Sequence, residues 1–317
     1  MKTEELKEII EKNAVYEIFN TDKICKIYDN HTIIRTPWRG KRSQRSLSIE
    51  CADTKDTKDL IEIFALNDKF DEKFKQAIEG DGQEHKRIRT LHSSALLSLL
   101  CFYGVSEDKP LMLEFDNRSV SFTSSEFEVR NKVAQDLSGK PHYSNIDVLL
   151  CGKDKNGKKV KLFLESKFSE YLNWGKYSGI SDEVYGCTYR RLAKVFKKMG
   201  LTYKDDALCS AQGYTRHYAG GIKQMISHFI GLKNEIKNGK YPDADIYLGT
   251  ILYEFPEGVD NEHKKLGDYK KDYKTLAEGL NALTESKLKV LEECFTYQEI
   301  FKAYQHLDEN VKIFYSF

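Results

Sequence analysis

The sequence predicts an α/β protein built on one mixed sheet with helices on its faces. Three stretches carry that prediction. First, Ile146, Val148, Leu149 and Leu150 form one branched apolar run, and Val160, Leu162, Phe163 and Leu164 form another, with Lys155-Asn156-Gly157-Lys158 between them. Asn-Gly between two such runs signals a tight hairpin turn with positive φ at both central residues. Second, Ile222, Met225, Ile226, Phe229 and Ile230 recur at i, i+3, i+4, i+7 and i+8, the stripe of a core-packed helix. Third, residues 245–254, DIYLGTILYE, read as a strand bounded by Pro242 and Pro256.

The remaining elements follow in chain order. Residues 1–20 have a helical apolar stripe at Leu6, Ile9 and Ile10, and residues 22–34 alternate as strands would around an Asp29-Asn30 turn. Residues 35–45, RTPWRGKRSQR, are the most basic window of the chain, with Arg35, Arg39, Lys41, Arg42 and Arg45 around Trp38. Pro37 and Gly40 make this window read as a loop. Arginines fork onto phosphates and a tryptophan stacks on bases, so Trp38, Arg39, Lys41, Arg42 and Arg45 are candidate nucleic-acid contacts. Residues 51–80 read as an acid-rich helix, with Leu60, Ile61, Ile63, Phe64, Phe70 and Phe74 inward. Residues 83–105 hold a buried helix with Leu91, Ala95, Leu96, Leu99, Leu100 and Tyr103. LMLEF and SSEFEVRNKVA, within 111–134, read as strands, the second lying beside the strand of Asp147. Around residues 190–198, five cations form a basic face on a helix, and residues 259–310 read as charged helix.

Composition bounds the function. The 317 residues are 40% hydrophobic and 12% aromatic, enough for a packed core and too apolar for a disordered chain. A net charge of +1 requires any nucleic-acid contact to use a local patch. The 7 cysteines include no CxxC pair, which fits buried thiols in a reducing cytoplasm. The opening MKTEELKEIIEKN carries acids and does not read as a signal peptide. No apolar run approaches the ~20 residues that cross a bilayer, so no membrane contact is expected. The phosphate-cradling pattern GxxxxGK[ST] is absent.

The chemistry concentrates on the central hairpin. Asp147 lies inside the first apolar run, and Glu165 and Lys167 end the second, one residue apart. Positions i and i+2 of a strand share a face, so Glu165 and Lys167 project together and Asp147 can join them from the neighbouring strand. A carboxylate in an apolar strand is costly unless it is paired or binds a cation. A solvated hairpin with an exposed ion pair is the competing reading, and charges embedded in apolar runs argue against it.

Asp147 followed by Glu165-Ser166-Lys167 at the end of the next strand resembles the PD-(D/E)XK nuclease superfamily, the restriction-endonuclease-like fold. Asn145-Ile146 stands where the family usually has a proline before the aspartate. The EH…LHSS stretch from Glu84 is similar to a bacterial branch of that fold with unassigned specificity. The resemblance implies an αβββαβ core over 84–255, an N-terminal helix-and-strand extension with the basic loop over 1–83, and a C-terminal helical extension over 256–317. It implies Mg²⁺, or Mn²⁺, held by Asp147, Glu165 and the Ser166 carbonyl, with Lys167 catalytic. Glu84, from the first core helix, is the candidate further acid, with Glu126 and Glu128 as rivals. Gln224 is the residue the later helix would present to the site, with His228 one turn on.

The implied function is a metal-dependent endonuclease that hydrolyses DNA, of restriction or defence type, in the cytoplasm. RNA as substrate and a homodimer stay open. Two alternatives keep the fold without the chemistry: an inactive nucleic-acid-binding module, and an interaction domain braced by the metal. An intact Asp-Glu-Lys set favours the enzyme. Removing either of two neighbouring carboxylates relieves repulsion, so alanine at Asp147 or Glu165 is expected to leave the metal-free melting temperature unchanged or higher.

Overall fold

The computed structural model describes residues 33–38, 41–49, 57–78, 88–90, 93–168, 174–175, 182–204, 207–210, 215–216, 219–255, 260–284 and 287–317. The helix expected at 1–20, residues 22–32 of the strands expected over 22–34, and Glu84 lie outside the described residues.

β1 (Ile33–Trp38) and β2 (Lys41–Ile49) pair antiparallel from Ile33↔Ile49 to Trp38↔Lys41. The basic window is therefore a hairpin ribbon and not an irregular loop. Pro37 is tolerated because the register shifts beside it and both strands of a two-stranded ribbon are edges. Arg39 falls outside the described residues; Trp38, Lys41, Arg42 and Arg45 lie on the ribbon.

The region read as one helix over 51–80 is two, α1 (Lys58–Phe64) and α2 (Lys69–Ile78). Ala65, left-handed at φ 54°, ends the first, and the Asn67 side chain accepts the Lys69 N–H at 3.0 Å to start the second. Leu60, Phe64, Phe70 and Phe74 are buried as expected. α3 (Ser94–Phe102) is capped by Ser93, whose hydroxyl accepts the Leu96 N–H at 3.2 Å, and it is buried from Ala95 to Phe102.

β3 (Leu111–Phe115), β4 (Arg118–Gln135), β5 (Pro141–Asp154) and β6 (Lys159–Lys167) form an antiparallel meander. The β5–β6 turn lies where Asn-Gly marked it, but only Gly157 has positive φ, +78°. The Asp154 carboxylate accepts the N–H groups of Asn156 and Lys158 at 2.8 and 3.0 Å, so a side chain closes the turn. The β4–β5 turn repeats this design, with Asp136 accepting from Ser138 and Lys140, and Gly139 at φ +80°.

After β6 come β7 (Trp174–Gly175), a π-helical turn at Asp182–Gly186, α4 (Cys187–Arg191) and α5 (Ala193–Lys198). Leu192 and Phe196 are buried there, and the cations around them are exposed. The hairpin of β8 (Leu201–Lys204) with β9 (Ala207–Ser210) follows, then β10 (Thr215–Arg216), which pairs with β7.

α6 (Ala219–Lys237) leads to β11 (Ala244–Leu252), which runs parallel to β6 from Ala244↔Lys159 to Leu252↔Lys167. α7 (Asp260–Asn281), β12 (Leu288–Val290), β13 (Phe295–Thr296), α8 (Tyr297–Ala303) and α9 (Glu309–Tyr315) complete the chain. β12 and β13 both pair parallel with β11, giving a mixed seven-stranded sheet ordered β12-β11-β6-β5-β4-β3, with β13 also on β11. The C-terminal region is thus not purely helical, and two short strands from it widen the central sheet. The expected α-β-β-β-α-β succession is present as α3, β4, β5, β6, α6 and β11, with β3 added ahead of the meander. Among the described residues, no helix is long and apolar enough to cross a membrane.

α6 packs on β4 and β5, and one glycine sets its distance. A Cβ on Gly231 would lie 2.9 Å from both Asn131 Cβ and Ser144 Oγ, closer than side chains tolerate. Gly231→Ala must push the helix off the sheet. Thermal melts should show a loss of roughly 1–3 kcal/mol, the usual penalty of overpacking. Among the described residues, Gly267 in α7 has nothing within 4 Å of its Cβ position, so Gly267→Ala should hold or raise the melting temperature. Equal melting of both variants with the wild type would contradict the close contact.

Candidate active site

β5 and β6 pair from Lys153↔Lys159 to Val148↔Leu164, and there their pairing ends. Asp147 occupies the next position. Its carboxylate Oδ2 accepts the Ser166 N–H at 2.6 Å, so a side chain stands in for the backbone partner. On its other side β6 stays clamped: Glu165 pairs with Thr250 and Lys167 with Leu252, and the Tyr253 N–H donates to the Lys167 carbonyl at 2.9 Å. The Glu165-Ser166-Lys167 segment is therefore held by main chain on the β11 side and by a carboxylate on the β5 side.

Strand alternation sends these residues to opposite layers. Ser166 is fully buried and donates its hydroxyl to the Ser94 carbonyl at the start of α3, 3.0 Å away. Its oxygen meets the Tyr297 hydroxyl at 2.7 Å; since Ser166 has spent its one proton, Tyr297 donates. Glu165 turns the other way. Its Oε1 lies 2.6 Å from Lys167 Nζ and its Oε2 lies 2.8 Å from His228 Nε2 on α6. All three are buried, with Glu165 at 2% exposure. Glu165 and Lys167 do share a face, as the i, i+2 spacing requires.

The two carboxylates have opposite electrostatics. Burial pushes Glu165 up, but the charges and hydrogen bonds of Lys167 and His228 outweigh it and bring its pKa to about 2. Asp147, partly exposed, is raised well above the ordinary carboxylate range, first by burial and then by the charges of Glu165 and Glu128, against smaller pulls from Lys167 and the Ser166 N–H. Without a cation, Glu165 is ionised, while burial and the neighbouring carboxylates disfavour the charged form of Asp147.

The further candidates sort themselves by position. Glu84 is outside the described residues, and Glu126 is exposed. Glu128 stands at the register position facing Asp147, between the pairs Phe127↔Val148 and Val129↔Ile146. Its backbone is left-handed at φ 49°, a conformation that costs a non-glycine residue of order 1–3 kcal/mol. Gln224 is exposed on α6. A turn takes 3.6 residues, so Gln224, four residues before His228, sits roughly 40° further round the helix and off the buried edge. His228, which the sequence marks only as lying one turn on from Gln224, is the α6 residue that reaches Glu165; its place at the margin of the apolar stripe is the signal for it. Its Nδ1 has no hydrogen-bond partner among the described residues.

A divalent cation fits this donor set. No group of three or more His, Cys, Asp or Glu is gathered to hold a metal among the described residues. Mg²⁺, however, binds through one or two carboxylates plus water and substrate phosphate. A cation beside Asp147 would offset the burial and the charges of Glu165 and Glu128 that disfavour its ionised form.

The expectation that either carboxylate could be removed without loss changes for Glu165. Glu165→Gln leaves the buried Lys167 without its counter-ion, which costs about 3–5 kcal/mol. Asp147→Asn removes a disfavoured charge, so metal-free stability at neutral pH should hold or rise. That gain should vanish as pH falls below about 4, where the aspartate is protonated in both folded and unfolded states. Melting both variants in EDTA across pH tests this; equal destabilisation by the two would contradict the asymmetry.

A family model described as Restriction Endonuclease associating with ARP matches residues 33–255, more than half of the chain. No curated protein and no solved structure matches.

Proposed function

This chain belongs to the REase-ARP family of restriction endonucleases, and from that premise we propose that it is a metal-dependent endodeoxyribonuclease with a PD-(D/E)XK site at Asp147, Glu165 and Lys167. The observation that carries the reading is the end of β5–β6 pairing at Asp147, which brings two carboxylates and a lysine together at the end of the central strands. The family also favours a role in restriction or defence, with DNA as substrate.

Asp147, Glu165 and the Ser166 carbonyl would hold Mg²⁺ or Mn²⁺, which when bound polarises the scissile phosphate and acidifies a water. Lys167 presents a compact ammonium beside Glu165. It orients the attacking water and stabilises charge developing on the phosphate oxygens. His228 holds the second oxygen of Glu165 and so fixes the carboxylate's plane. Glu128, facing Asp147, is the acid best placed to join the site. The ribbon bearing Trp38, Lys41, Arg42 and Arg45 supplies phosphate contacts, as does Arg39 by its place in the sequence.

Plasmid DNA and RNA incubated with Mg²⁺, Mn²⁺ or EDTA test the reading. The wild type should cleave DNA with metal and not with EDTA. Arginine is planar and is not deprotonated in proteins, so Lys167→Arg should keep duplex affinity and lose at least ~10²-fold in cleavage rate. Wild-type turnover by Lys167→Arg would reduce that lysine to a salt-bridge partner. Metal-independent inertness of the wild type on every substrate would return the chain to a binding module.

A further inference from the structure

Beyond Asp147 the β4–β5 hairpin continues without β6. The pairs from Val129↔Ile146 to Gln135↔Pro141 all lie past the last β5–β6 pair, Val148↔Leu164. The strand from Pro141 to Ile146 makes an arm roughly 20 Å long at ~3.3 Å per residue. Its root is the candidate active site.

The arm is braced. Asn234 of α6 donates to the carbonyls of Lys132 and Val133 at 3.2 and 2.6 Å, where the ladder shifts register. Glu235 accepts the Lys132 N–H at 3.3 Å. Gly231 lets the helix lie directly on Asn131 and Ser144, which are buried. The residues alternating with these two are different in kind. Arg130 and Tyr143 are exposed, with the guanidinium 3.8 Å from the ring centroid, and Lys132 is partly exposed. At the tip Leu137 is 96% exposed, and the exposed Lys140 follows it. The arm's one carboxylate, Asp136, is engaged within the turn by Ser138, Lys140 and His142.

We propose that this arm enters the major groove of duplex DNA beside the scissile phosphate. The proposal rests on the reading of the chain as a DNA-cleaving enzyme. A two-stranded ribbon fits the groove, which is about 12 Å wide. Arg130, Lys132 and Lys140 meet the phosphates of the groove walls, and Leu137 offers an apolar contact to base edges such as the thymine methyl. One exposed leucine at a tip that also carries Lys140 complements a charged groove, whereas a protein partner would call for a broader apolar patch. Bracing by α6 means that little chain entropy is lost on binding.

The test measures anisotropy of a labelled duplex with the full chain in EDTA, over a range of salt concentrations. Replacing Arg130, Lys132 and Lys140 together by alanine should flatten the slope of log K against log salt by about 2.7 units, ~0.9 per lost phosphate contact. Leu137→Ser should weaken duplex binding several-fold with an unchanged slope. Both variants should melt as the wild type does and should hydrolyse bis(p-nitrophenyl) phosphate with Mn²⁺ at the wild-type rate, since the arm is outside the chemistry. Wild-type affinity and slope in both variants would overturn the arm while leaving the nuclease reading standing. Equal losses on single-stranded and duplex DNA would overturn the groove assignment. Failure of the wild type to bind duplex at all would overturn both.

Discussion

The structure depends on one buried ion cluster, Glu165 between Lys167 and His228. A buried carboxylate is tolerated only when each oxygen is satisfied, and here each has a nitrogen partner within 2.8 Å. Those partners come from different elements: Lys167 from the same strand and His228 from α6. The cluster therefore fixes how the helix sits on the sheet. Gly231, three residues past His228, allows the close approach that brings the imidazole into reach. Ser166 ties the opposite layer through Ser94 and Tyr297. Three consecutive residues of β6 thus couple the sheet to the helices on both of its faces.

The same cluster explains why two nearby carboxylates behave differently. Glu165 is compensated by its neighbours, whereas Asp147 faces the charges of Glu165 and Glu128 and accepts the Ser166 N–H. Where β6 leaves β5, one side of the hairpin loses its neighbour strand. There Asp147 is half-buried, and the β4–β5 arm continues without β6. Site and arm are two consequences of one break in the ladder.

Much of this was legible in the sequence. The hairpin, the α6 stripe and β11 follow from periodicity and branched residues, and Glu165 and Lys167 share a face because a strand has period 2. Other features depend on physics that spacing does not report. The basic window forms a ribbon because Pro37 is harmless on an edge. The β5–β6 turn is closed by the Asp154 carboxylate, so positive φ is needed only at Gly157. β12 and β13 are too short for alternation to announce them, and their strand identity comes from β11 as a template. His228 in place of Gln224 is a matter of helical phase relative to a sheet whose position the sequence does not state. The destabilising role expected of Glu165 removal reverses the repulsion argument because His228 and Lys167 bury with it.

Asp147 and Glu165, as the proposed divalent-cation site, differ in that only Asp147 has its charged form disfavoured when no cation is bound. Calorimetric titration of Mn²⁺ into the metal-free chain, repeated in buffers of different ionisation enthalpy, tests it most directly. The wild type should show saturable binding with proton release, and Asp147→Asn should lose both the binding and the released proton. Undiminished Mn²⁺ binding by Asp147→Asn would contradict it.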